Sequence, residues 1–150
     1  MKRNENLVPL SREHHFGLLC VWKIRQGVTK GIAYKRILNY VNYFWKESLS
    51  RHFETEDRVL PEMENAILQN QMEQEHSQIR KLISHINASD DKQLLLDFAN
   101  ALQNHIRFEE RVVFPEYEDN LSDEQMKEIG KLLSDSDHKG IDDYPDEFWK

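Results

Sequence analysis

Apolar side chains recur at steps of three and four residues along almost the whole chain, and no convincing two-residue alternation interrupts them. The pattern predicts an all-α fold. Five glycines and four prolines are its strongest punctuation. The first predicted helix runs from about Ser11, a good N-cap, to near Gln26, with Gly27 as its stop. The second covers about 32–59 and closes at Pro61. A third spans roughly 64–86 and ends in the polar run NASDD; a fourth runs over about 92–114 and stops before Pro115. A shorter fifth helix follows Ser122, whose spacing to Gln125 fits a capping box, and fades near Ser134. The tail DSDHKGIDDYPDEFWK is acidic and irregular with exposed-looking aromatics, and YPDEFWK is expected either to contact a partner or to pack on the bundle.

Long helices with short connectors predict an antiparallel up-down four-helix bundle with a short C-terminal fifth helix and tail, a fold whose core can hold a site built from facing side chains. The 27–31 connector is short enough for antiparallel neighbours. A chain of 150 residues suits a single domain over 1–150, with the bundle over about 7–118 and the short helix and tail over 119–150.

A helix turns by about 100° per residue, which decides whether a polar residue shares the apolar stripe. In the second helix the stripe is Leu38, Val41, Trp45, Leu49, Val59 and Leu60, and His52 and Glu56 fall near its centre. In the fourth it is Leu94, Phe98, Ala101, Leu102, Val112 and Val113, and it contains His105 and Glu109; Glu110 lies at its edge and is the rival to Glu109. The third helix carries His76 on a stripe of Leu68, Met72, Ile79, Ile83 and Ile86, while His85 projects to the far side. In the first, the apolar moment over Leu10, Leu18, Leu19, Val21, Trp22, Ile24 and Val28 points closest to His14, with His15 held in reserve. His138, in the tail, is expected in solvent. Trp22, Trp45, Phe98 and the methionines are expected in the core.

A lone histidine on an apolar face is ordinarily a hydrogen-bonded core residue, and a glutamate there can pair with an arginine such as Arg58, Arg107 or Arg111. Four helices that each place a histidine inward, two of them adding a glutamate one turn on, favour a metal site instead. A buried carboxylate with no partner is otherwise too unfavourable to keep its charge.

Composition narrows the classes. With 39% hydrophobic and 31% charged residues the chain is neither disordered nor membrane-like, and no apolar run nears the length of a span. The start MKRNENLVPLSREHH lacks the apolar middle of a secretory signal, and the one cysteine, Cys20, cannot form an internal disulfide; both point to the cytoplasm, with Cys20 as packing. A formal charge of −7 with interspersed basic residues argues against nucleic acid.

The set His14 (or His15), His52, Glu56, His76, His105 and Glu109 offers nitrogen and oxygen but no thiolate, which suits iron or manganese better than a structural zinc. Six ligands exceed the needs of one ion. Two ions bridged by the two carboxylates, with histidines at either end, would use them all and leave positions open for water or a diatomic molecule.

The motifs EHH, HFETEDRVLP, EHSQIRKL and HIRFEERVVFP, in this order over about 7–118, resemble the hemerythrin-like, or HHE cation-binding, family. The resemblance implies an antiparallel four-helix bundle around two oxo- or hydroxo-bridged iron ions, with manganese or zinc as possible substitutes, and interaction with dioxygen, peroxide or another small diatomic ligand. Where oxygen-carrying hemerythrins place a His-x-x-x-His pair on the third helix, this chain has Met72 and His76. A thioether is a poor ligand for ferric iron, which favours redox chemistry, sensing or detoxification over bulk oxygen carriage. Turnover of peroxide or nitric oxide at that centre is the enzymatic version of this expectation. The competing expectation is a helical interaction module whose metal is structural or absent, with a protein partner.

Overall fold

The computed structural model describes residues 2–135 and 142–150. The described residues are helical, with no strand among them. In chain order the elements are α1 (Val8–Thr29), α2 (Tyr34–Phe44), a π-helical turn (Trp45–Leu49), α3 (Ser50–Val59), α4 (Ala66–Asn87), α5 (Lys92–Phe108), a second π-helical turn (Glu109–Val113), α6 (Phe114–Asn120) and α7 (Asp123–Ser134). None of these helices is long and apolar enough to cross a membrane. The expected His138 in solvent lies outside the described residues.

The element boundaries correct the sequence expectation in instructive places. Ser11 is not an N-cap: the helix opens a turn earlier, with Pro9 in its first turn, and the Ser11 hydroxyl instead donates to the Glu110 carboxylate. Gly27 is not the stop either. It lies inside α1 because a Cβ there would meet the Phe148 ring at 2.7 Å, so it is a seat for the tail; the turn itself is made by Gly31, at φ +70. Pro115 does not end the fourth helical run, which continues to Asn120. Across the π turn the amide of Phe114 bonds the carbonyl of Glu109, five residues back. The same spacing would send the missing Pro115 amide to Glu110, whose carbonyl accepts from Arg3 Nη2 at 2.5 Å instead. The expected Ser122–Gln125 capping box is present at the start of α7.

Two apolar clusters fill the interior. One holds Cys20, Ile24, Val41, Phe53, Ile79, Phe98 and Leu102, and the other Leu10, Val59, Met72, Val113, Phe114 and Leu133. Along α1, α3, α4 and α5 the residues of one cluster give way to those of the other, and the buried His14, His52, His76 and His105 stand at the changeover. The site is therefore a polar layer clamped between two apolar ones. The two clusters shield the layer from water along the helix axes.

Three expected core residues are not core. Leu18, Trp22 and Val112 are 40%, 48% and 38% exposed, because α1 turns Leu10, His14, Gly17, Val21 and Ile24 inward and the π turn buries Val113 rather than its neighbour. The tail runs the other way. Phe148 and Trp149 are buried, packing on Tyr40 and closing over Lys23, whose ammonium sits 4.0 Å above the Trp149 ring and pairs with Asp142. Of the two expectations for the tail aromatics, packing on the bundle is the one observed, and they strap α1 to α2. Cys20 is buried as expected, and burial pushes its thiol up to about 12, which makes it packing rather than a nucleophile.

Candidate metal centre

Glu56 and Glu109 are fully buried, and His14, His52, His76 and His105 nearly so. Their atoms form two overlapping quartets, His14–His52–Glu56–Glu109 and Glu56–His76–His105–Glu109, in each of which the ligand atoms lie within 4.8 Å of one another. Both carboxylates belong to both quartets, and the imidazoles pair off at the ends, with ring centroids 4.9 Å apart for His14 and His52 and 4.7 Å for His76 and His105.

Every histidine turns Nε2 inward. His14 Nε2 is 2.9 Å from Glu109 Oε1, His52 and His76 Nε2 are 3.2 and 3.3 Å from Glu56 Oε1, and His105 Nε2 is 3.3 Å from Glu109 Oε1. Only the first of these is a hydrogen bond. Nε2 of His52, His76 and His105, both oxygens of Glu56 and Oε2 of Glu109 are buried without a hydrogen-bond partner. Orphaned buried donors and acceptors are rare in folded proteins, and here they converge on one space. A cation there satisfies them all at once, so this donor set fits a metal.

Every Nδ1 turns outward to a carboxylate, and the four carboxylates make a ring. Glu13 on α1 backs His52 at 3.3 Å, Asp57 on α3 backs His76 at 3.4 Å, Glu75 on α4 backs His105 at 2.8 Å, and Glu110 backs His14 at 2.9 Å. Each of these acids is the sequence neighbour of an inner residue, offset by about 100°, so it reaches the helix next door. An Nδ1–H held by a carboxylate leaves the Nε2 lone pair for a metal and fixes the ring's orientation. Aromatic rings fix it further: Phe53 stacks on His76 at 4.1 Å, and Phe114 stacks on His14 at 5.5 Å.

Electrostatics follow from this packing. Burial alone lowers the pKa of an imidazole, but the facing carboxylates outweigh it, raising His14, lifting His52 well above its usual range, and bringing His76 to about 8 and His105 to about 10. Burial pushes Glu109 up, yet His105, His14 and His52 together hold it well below the usual carboxylate range. Glu110 also goes down despite its burial, through His14, Ser11 and Arg3. Tyr117, whose hydroxyl donates to the Pro61 carbonyl, is pushed up by burial and by the charges of Glu56 and Glu109.

The sequence-predicted set assembles, with two choices resolved by position. His14 is buried in the layer, whereas His15 is exposed and joins neither quartet, being one 100° step away. Glu109 is inside; Glu110 is outside as the partner of His14. His85 is exposed, as expected. Arg58, Arg107 and Arg111 are all exposed, so the ion-pair account of the two glutamates does not hold. Sequence reasoning missed Glu13, Asp57 and Glu75, although the acid beside each inner residue was the signal to follow. It also missed the two π turns, which lie just before His52 and at Glu109.

A protein-family model described as the hemerythrin HHE cation binding domain matches residues 12–117. Comparison with curated proteins and with solved structures finds no match.

Proposed function

Because the chain belongs to the hemerythrin HHE cation-binding family, we propose that it is a non-heme di-iron protein that engages dioxygen or a related small oxidant, for redox chemistry, sensing or detoxification rather than bulk carriage. In this proposal α1, α2 with α3, α4, and α5 with α6 form an antiparallel four-helix bundle within one domain. Glu56 and Glu109 bridge two ions; His14 and His52 complete one end, His76 and His105 the other. The observation that carries it is the convergence of buried, unpartnered Nε2 and carboxylate oxygen atoms between two apolar clusters.

A bound iron pair supplies one-electron chemistry and positions for a small ligand. The chain's own groups do the rest. Glu13, Asp57, Glu75 and Glu110 hold the Nδ1 protons and so aim each Nε2. Phe53, Leu102, Ile106 and Phe114 keep bulk water from the layer. Met72 lines the cleft beside His76 without offering a hard donor, which leaves that end open to exchange and supports oxidant handling over carriage. The unpaired, buried Cys20 supports a cytoplasmic setting.

Metal analysis with absorption spectroscopy tests the proposal. Iron-loaded protein should hold about two ions per chain and show near-ultraviolet charge-transfer bands that vanish in His105→Ala and persist in His85→Ala. Loading should also raise the melting temperature by about 10 °C, as a ligand bound far above its Kd does. A protein that takes up no iron and melts unchanged would be an interaction bundle instead.

A further inference from the structure

A groove of about 510 Å³ runs along the outside of the contact between α1 and α5, with Leu18 and Trp22 on one wall and Ile106 beneath. Trp22 is 48% exposed and Leu18 is 40% exposed, and both are far larger than a solvated helix face requires. Arg25, Arg107 and Arg111 rim it. Elsewhere Arg3 pairs with Glu118, Arg36 with Asp146 and Arg80 with Asp57, while Arg12 stands alone on its exposed face among the described residues, with no second arginine gathered beside it at an apolar groove. At the groove Arg25 bonds only the neutral Asn100 and Gln103, and Arg107 and Arg111 make no ion pair among the described residues. The acid at the groove wall, Glu110, is engaged with His14 and Ser11. A chain of net charge −7 therefore displays a positive rim around an exposed tryptophan. Tryptophan and arginine are the residues most enriched where binding energy concentrates at protein interfaces.

We propose that this groove is the docking face for an acidic protein partner, which lays apolar side chains on Trp22 and Leu18 and carboxylates on the three arginines. Charge complementarity selects the occupant: a basic partner meets only the unmatched cations here, whereas an acidic one neutralises them. Glu110 carries this face inward to His14, so the partner would sit one carboxylate away from the metal layer.

The probe is a short synthetic peptide in which glutamates flank leucine and phenylalanine, with a lysine-for-glutamate version as its control. The readout on the full chain is the Trp22 indole N–H resonance, assigned by Trp22→Phe. The acidic peptide should shift this resonance saturably, and Arg107→Ala with Arg111→Ala should weaken binding by about tenfold or more, as should added salt; Arg51→Ala should leave it unchanged. The proposal is overturned if the acidic peptide produces no shift, if both peptides act alike, or if the arginine substitutions have no effect. It is equally overturned if sedimentation shows that a second copy of the chain buries Trp22, or if phosphatidylserine vesicles capture the protein through these arginines and the peptide does not compete.

Discussion

The polar layer has two unlike sides. On the side lined by His14, His52 and His105 the space is a narrow pocket of about 10 Å³, room for roughly one water, walled mostly by Phe44, Leu49, Phe53, Leu102 and Ile106, with Glu13 and Ser48 as its polar members. On the side lined by Glu56 and His76 lies a cleft of about 250 Å³, bordered by Asp57, Gln69, Met72, Glu73 and Arg80. The outer carboxylates follow suit. Glu13 and Glu75 are 12% and 22% exposed in their side chains, whereas Asp57 is 50% exposed and shares its charge with Arg80. One protein thus gives the same kind of buried ligand a narrow, mostly apolar neighbourhood at one place and a wider, more polar one at another.

The largest effect should come from a group shared by the two ligand quartets, which cut across these two sides. Glu109 belongs to both quartets, so Glu109→Gln is expected to weaken metal retention by more than about tenfold at each ion, read by metal analysis after dialysis against a chelator. Loss of just one ion would instead show that the two quartets bind independently.

Next comes pH, in the metal-free protein. His76 and His105, at about 8 and about 10, lie above their ordinary 6.5, so the stability they contribute is fully present below pH 6.5 and is lost as the pH rises through 8 and then 10. Glu109, held well below its ordinary 4.5, contributes above pH 4.5 and loses that contribution as acid protonates it. Urea midpoints should therefore be highest between these limits and fall steadily from pH 6.5 to 10. Metal uptake at pH 7 should release protons, visible by calorimetry in buffers of different ionisation heat. Midpoints that rise with pH in this range would contradict the charged pairs.

A smaller difference separates the outer carboxylates. Glu75→Gln, which removes the 2.8 Å partner of His105, should cost about tenfold in metal affinity, and Asp57→Asn, on the more exposed cleft side, only a few-fold. Equal losses would erase the distinction between the sides. The least effect is expected from Gly17→Ala on the narrow side. The new Cβ would stand 2.7 Å from Ile106 Cδ1, the free end of a flexible side chain, so repacking offsets the gain in helix propensity and stability should change by less than about 1 kcal/mol, read from urea midpoints.

How far the sequence could be followed depended on the range of the interaction. The helices were legible because their apolar period is local, and the inner residues because a histidine or glutamate on an apolar stripe conflicts with its surroundings unless something else binds it. The periodicity misled where the backbone left the regular α-helix. A π turn inserts one residue, so extrapolating the stripe through Glu109–Val113 put Val112 inside and missed the continuation through Pro115. The tail was undecided for a different reason: its aromatics could serve a partner or the bundle, and their contacts with Tyr40 and Lys23 lie more than a hundred residues away in sequence.

By itself the sequence determined that the chain would be helical and that His14, His52, Glu56, His76, His105 and Glu109 lie on buried faces, because a helix face depends only on spacing along one chain. Which acid serves which histidine was decided by the tertiary structure alone. Glu13, Asp57, Glu75 and Glu110 each pass over the histidine of their own helix and back one on the next, a ring that exists only once the helices are side by side. The same packing left one side of the layer narrow and the other wide, since cavities are the spaces between elements and no single element encodes them.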